Sequence, residues 1–90
     1  MLMLSDIKEM NAHAIKIDGY DKAIIGYDLQ NETLIYDRDM MIDIATEEML
    51  KTHNKTEAST IAEEYLEHNV FSIYVGQFTP IFLEKVDNNA

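Results

Sequence analysis

The hydrophobic pattern of this chain changes period once, near Asp37. Before that point apolar residues alternate. Ile15 and Ile17 flank Lys16, and Asp18-Gly19 follows as a turn dipeptide. Ala23-Ile24-Ile25-Gly26-Tyr27 reads as a second strand and Thr33-Leu34-Ile35-Tyr36 as a third, with a turn at Leu29–Glu32. The short spacings predict an antiparallel meander, because parallel neighbours need long crossovers. After Asp37 the spacing is helical. Met41, Ile42, Ala45 and Met49 form one stripe with Ile44 on its flank, and Asp37 or Asp39 is the expected N-cap. Lys51 and His53 fall in the expected last turn, and Asn54 is the expected stop. Ala58, Ile61, Ala62, Tyr65 and Leu66 form a second stripe, with Glu57, Glu63, Glu64 and Glu67 outside it and Asn69 as the expected C-terminal cap. Val70–Val75 fits a strand or a buried connector, and Ile81-Phe82-Leu83 opens a last strand running to about Val86. The expected fold is therefore α+β: a small antiparallel sheet in β-β-β-α-α-β order, with two helices packed on one face.

Ninety residues suffice for a single domain, 1–90, and not for two cores. Residues 1–12 read as a leader or a short helix capped by Asp6, and residues 87–90 as a frayed tail. The chain has no cysteine, which excludes a disulfide scaffold, a thiolate zinc site and a thiol nucleophile. Seven Lys and Arg against seventeen Asp and Glu leave a net charge of −10. Such a surface repels nucleic acid and anionic membrane and suits a partner with a basic surface. The first residues lack the charged and apolar regions of a signal peptide, so the expected location is the cytoplasm.

The inventory for chemistry is thin. Asp37, Asp39 and Glu48 stand at calcium-loop positions, but Ile42 replaces the required glycine and the segment reads as helix. His13, His53 and His68 share no ligand spacing, and no serine lies in a nucleophile elbow. Three glycines cannot build a phosphate loop. No enzyme, metal or cofactor is expected. Tyr-Asp occurs three times, at Tyr20-Asp21, Tyr27-Asp28 and Tyr36-Asp37. These pairs read either as an aromatic, acidic rim for gripping a basic partner or as strand ends followed by turn and cap residues. About half of the acids lie between Asp37 and Glu67, which predicts an acidic patch on the outer helical face.

Four pieces of the chain resemble a widespread type of small phage and prophage protein of uncharacterised function. They are Ala23-Ile24-Ile25-Gly26-Tyr27-Asp28, Leu34-Ile35-Tyr36-Asp37, Ala62-Glu63-Glu64-Tyr65-Leu66-Glu67-His68-Asn69-Val70, and Tyr74-Val75-Gly76-Gln77-Phe78-Thr79-Pro80-Ile81-Phe82. The resemblance spans Ala23–Leu83, about two thirds of the chain, and Asn54-Lys55-Thr56 stands where the family carries a glycine. It implies the habits of phage accessory proteins, which commonly bind a host protein and often block a defence or nuclease system.

Together these readings predict a non-enzymatic protein that binds and inhibits a host protein in the host cytoplasm, occupying a basic or nucleic-acid-binding surface. The expected contacts are Tyr20, Asp21, Tyr27, Asp28, Asp39, Asp43, Glu47, Glu63 and Glu67. A homodimer is also expected, through the edge near Ile81–Val86 or through Met40 and Phe71. The alternatives are a homo-oligomeric scaffold module and a small-molecule binder using Tyr27, Tyr36, Tyr74 and Asp37.

Overall fold

A computed structural model describes residues 1–88 and is an α+β structure. Its elements are α1 (Leu4–Met10), β1 (Ile24–Asp28), β2 (Thr33–Asp37), α2 (Arg38–Met49), α3 (Lys55–Leu66) and β3 (Ile81–Leu83). A 3₁₀ turn at Asp21–Ala23 leads into β1, and a π-helical segment, Glu67–Phe71, extends α3.

The sheet differs from the expected meander. Its order is β1-β2-β3; β1 pairs antiparallel with β2, but β3 runs parallel to β2 with Ile35 opposite Ile81. Two helices and the irregular segment 72–80 separate β2 from β3, length enough to carry the chain back to the starting end of β2. β3 ends at Leu83 rather than Val86. Residues 70–75 form no strand.

The expected strand at Ile15–Ile17 does not form. β1 and β3 occupy both sides of β2, so no sheet position beside it remains. The segment is held by a side chain instead: the Ile17 N–H donates to the Tyr36 hydroxyl at 2.8 Å. Ala14 and Ile17 pack on the core from there.

The Asp28–Thr33 turn is built by its own side chains. The Asp28 carboxylate accepts the Gln30 N–H at 2.9 Å and the Asn31 amide at 2.8 Å. Glu32 adopts φ +58°, and buried Asn11 donates to its carbonyl at 3.0 Å. Asn11 thereby ties the end of α1 to the β1–β2 turn. Asp6 is not the cap of α1; Met3 is, and the Asp6 carboxylate accepts the Met3 N–H at 2.8 Å from the first turn.

Asp37 caps α2. Its Oδ1 accepts the Asp39 N–H at 3.0 Å and the Met40 N–H at 3.3 Å. Lys51 and His53 lie beyond α2 instead of in its last turn, and Asn54 caps α3 by accepting the Glu57 N–H at 3.0 Å. α3 does not stop at Asn69. It widens from Glu67 into the π-helical segment, where the Asn69 amide donates to the Tyr65 carbonyl at 3.0 Å.

The core joins one face of β2 to the helical hairpin. Leu34 and Tyr36 project from β2 onto Met41 and Ala45 of α2 and Ala62 and Leu66 of α3, with Ile7 and Ala23 at the margin. Alternation along β2 sends Thr33, Ile35 and Asp37 to the opposite face. Buried Ala45, Ala58 and Ala62 let the two helices approach closely. Tyr65, placed by spacing on the apolar stripe, lies at its edge and is about half exposed. Of the expected frayed tail, Asp87 and Asn88 are exposed; 89 and 90 lie outside the described residues.

Candidate partner-binding surface

The five-residue link between α2 and α3 forces an antiparallel hairpin, so the start of α2 lies beside the end of α3. Arg38, the first residue of α2, exploits that neighbourhood. Its guanidinium hydrogen-bonds the Glu67 carboxylate and lies 3.7 Å from that of Glu63. The same group sits 4.9 Å above the Phe71 ring, and Phe71 meets Phe82 of β3 edge-on at 5.2 Å. One cation therefore joins α2, α3, the π-helical segment and β3. The planar guanidinium suits both jobs, since it can hydrogen-bond carboxylate in its plane and stack on an aromatic through its face.

Glu63 and Glu67 also line, with Thr60, Glu64 and His68, a shallow depression along α3 and the start of the π-helical segment. A second surface lies on α2. Asp43 and Glu47, one turn apart, border a depression with Lys22, Met40 and Ile44. Asp21, Gly19 and Lys22 continue that surface past Glu47. Asp39 extends the α2 stripe by one more turn and is exposed. Among the described residues, Asp39, Asp43, Glu47 and Glu64 make no ion pair, whereas Asp21 meets Lys16 at 3.3 Å.

Eight of the nine expected contact residues thus fall in three places. Glu63 and Glu67 hold Arg38. Asp21, Asp39, Asp43 and Glu47 belong to the α2 side. Tyr27 and Asp28 lie on β1, at the sheet edge. Tyr20 is half-buried and packs on the core. Burial first, then the neighbouring Tyr65 phenol and Glu48 carboxylate, push its phenol above the usual range. The Asp28 carboxyl is held below its usual range by the Asn31 side-chain amide first, then by the N–H groups of Asn31 and Gln30. Tyr20 and Asp28 therefore serve the fold before they serve a partner. Phe71, an expected dimer contact, is half-buried, with the Arg38 guanidinium over its ring and Phe82 edge-on beside it.

Asp37 is the most enclosed carboxylate, 1% exposed. The Lys85 ammonium, 3.0 Å from its Oδ2, lowers its pKa. Burial opposes this, and the N–H groups of Met40 and Asp39 add to it. Both oxygens are engaged, one with the helix and one with the chain after β3. Tyr36 is fully buried on the other face of β2, and burial raises its pKa despite the N–H it accepts from Ile17. Tyr74 is 79% exposed on the 72–80 loop. Tyr36, Asp37 and Tyr74 therefore do not converge as a ligand site requires. Among the described residues no group of three His, Asp or Glu is placed to hold a metal ion. No helix among them is long and apolar enough to cross a membrane.

Spacing alone did not single out Arg38, Glu64 or Lys22. A weak signal for Arg38 exists: it follows the cap of α2, while Glu63 and Glu67 repeat at helical spacing with no cation beside them in sequence. Only the antiparallel hairpin brings the two together. Compared with family models, curated proteins and solved structures, the chain has no match in any of the three.

Proposed function

We propose that this chain is a non-enzymatic binding protein of the phage accessory type, acting in the host cytoplasm. It occupies a basic surface of a host protein, one that can be a nucleic-acid site, and thereby inhibits it. The observation that carries this reading is the exposed acidic stripe Asp39, Asp43 and Glu47 on α2, whose carboxylates make no ion pair among the described residues and lie one turn apart beside Met40, Ile44 and Lys22. Unpaired exposed carboxylates raise the association rate with a cationic surface, and an adjoining apolar strip supplies contact area. Glu63 and Glu67 are weaker candidates, because Arg38 already neutralises part of their charge.

The test is capture from bacterial lysate at low and high salt, with the Asp43→Lys/Glu47→Lys variant beside the wild type. A single protein held at low salt, shed at high salt and lost by the variant is the expected result. Equal retention by the variant would sink the acidic-stripe reading. Reversal at Glu63 and Glu67 is a poorer test, because it also breaks the Arg38 cluster.

One observation favours a second reading, a self-associating module. Ile73, Tyr74 and Val75 are consecutive and exposed, and Leu83 at the end of β3 and Val86 beyond it are exposed too. Large exposed apolar residues of this kind often cover one another in a dimer. Sedimentation at micromolar concentration decides it: a strict monomer removes this reading.

A further inference from the structure

α1 is tied to the rest of the molecule by three residues. Ile7 is buried, and Leu4 packs partly buried on the same core cluster. Asn11 supplies the third tie, its side-chain amide donating to the Glu32 carbonyl at 3.0 Å. Its other bonds, from the His13 and Ala14 N–H groups, are local. Among the described residues, no hydrogen bond or ion pair joins residues 1–10 to anything beyond Asn11. Met1, Leu2, Met3 and Met10 are exposed. Clefts lie on both sides of the helix. One of about 450 Å³ separates Leu4 and Ile7 from residues 24–27 of β1. Another of about 260 Å³ separates Leu4 and Ile7 from Ala12, Ala14 and Leu34. Across such gaps the helix forgoes the dispersion contacts that would hold it.

We propose that residues 1–11 form a strap that opens as one unit about Ala12 and His13, while the sheet and the helical hairpin stay folded. Opening breaks the Asn11–Glu32 bond and lifts Ile7 off the cluster that holds Leu34. It joins the two clefts and uncovers Leu34, which is 2% exposed when the strap is shut. The opening belongs to the free chain, requires no partner, and so stands apart from the reading of the protein as a binder of basic surfaces.

The contrast with the body is one of grip. A seven-residue helix is too short to stand in water by itself, so α1 lasts only as long as its three ties hold. Few buried apolar contacts and a single long-range hydrogen bond put a segment at the low end of local stability. β2 is bonded on both sides and lies against both hairpin helices, so it opens only with the whole molecule. Beyond the hinge, Ala14 and Ile17 stay packed on the core, and Ile17 keeps its bond to the Tyr36 hydroxyl. The ties at Ile7 and Asn11 lie at the hinge end of the strap. Fraying from the first residue would therefore give graded protection along α1, whereas release of the ties frees residues 7–11 together.

The experiment is amide hydrogen exchange of the full chain in dilute guanidinium chloride, followed by NMR. Amides of residues 7–11 should share one opening that barely responds to denaturant, because little surface is exposed by it. It should occur roughly a hundredfold or more often than opening at β2. Glu64→Gly, at an exposed position inside α3, should speed β2 exchange about threefold and leave residues 7–11 unchanged, since α3 stays folded when the strap opens. Asn11→Ala should speed residues 7–11 about tenfold. The chain has no cysteine, so Leu34→Cys places a single thiol under the strap. Its alkylation by iodoacetamide should also be flat in dilute denaturant. Should that variant fail to fold, exchange of the wild type and of the other two variants still decides. Graded or absent protection at residues 7–11, steep denaturant dependence there, acceleration there by Glu64→Gly, or no response to Asn11→Ala overturns the proposal. Thiol labelling that climbs with denaturant as steeply as β2 exchange does so too.

Discussion

Asp37 carries the C-terminal strand and the first helix on one side chain. Its folded pKa lies below the ordinary carboxylate value, so its stabilisation is complete above that value and is lost as pH falls through the folded one. Asp37→Asn keeps an oxygen for the helix cap and removes the charge that attracts Lys85. The variant should therefore be less stable than wild type near neutrality, and the difference should shrink below about pH 4. Melting curves of both proteins between pH 6 and pH 3 check this. Asp37→Ala should lose a further 1 kcal/mol or so with the cap. Thr33 offers the opposite case. Among the described residues its hydroxyl is buried without a hydrogen-bond partner. Thr33→Val removes that desolvation cost at nearly constant shape and should raise stability by about 1 kcal/mol in denaturant titration.

Among elements, the contact of the helical hairpin with β3 runs through Arg38. Its partners Glu63 and Glu67 are half exposed, so each ion pair adds little by itself. The stack on Phe71 and the Phe71–Phe82 contact give the cluster its geometric value. Arg38→Lys keeps the charge but not the flat face, and should cost roughly 1 kcal/mol; Arg38→Ala should cost about 2 kcal/mol. In hydrogen exchange both should loosen the π-helical segment and β3 before the β1–β2 hairpin, because only the former depend on Arg38. Uniform loosening across all elements would count against this assignment.

For the whole molecule, net charge is the dominant fact. Charges totalling −10 on a 90-residue chain repel one another, so screening should favour the folded state. The melting temperature should rise between about 20 mM and 500 mM sodium chloride, when the Debye length shrinks from beyond 20 Å to a few Å. Asp43→Lys/Glu47→Lys should melt higher than wild type at low salt while associating more slowly with a basic partner. That pairing of higher stability with weaker function is what a stripe kept for binding predicts.

Much of the local architecture was legible because it depends on neighbours in sequence. The period change at Asp37, the Asp28 turn, the cap at Asp37 and the buried stripes of Met41 with Ala45 and of Ala58, Ala62 and Leu66 all follow from neighbours in sequence, whereas Asn54, which reads as the stop of α2, instead caps α3. The α+β class follows from them. What tertiary structure decided was pairing. Ile15–Ile17 has a strand pattern, yet β2 had no free side to offer it. Ile81–Leu83 took that side in parallel, because segment 72–80 brought the chain back to the same end. Alternation encodes which face of a strand is buried, but not which neighbour it receives. The surfaces divide in the same way. Sequence alone established how acidic the chain is and which acids share a helix face. The hairpin decided that Arg38 would claim Glu63 and Glu67 and leave Asp39, Asp43 and Glu47 free, since contacts between residues far apart in sequence exist only once the core has set the helices side by side.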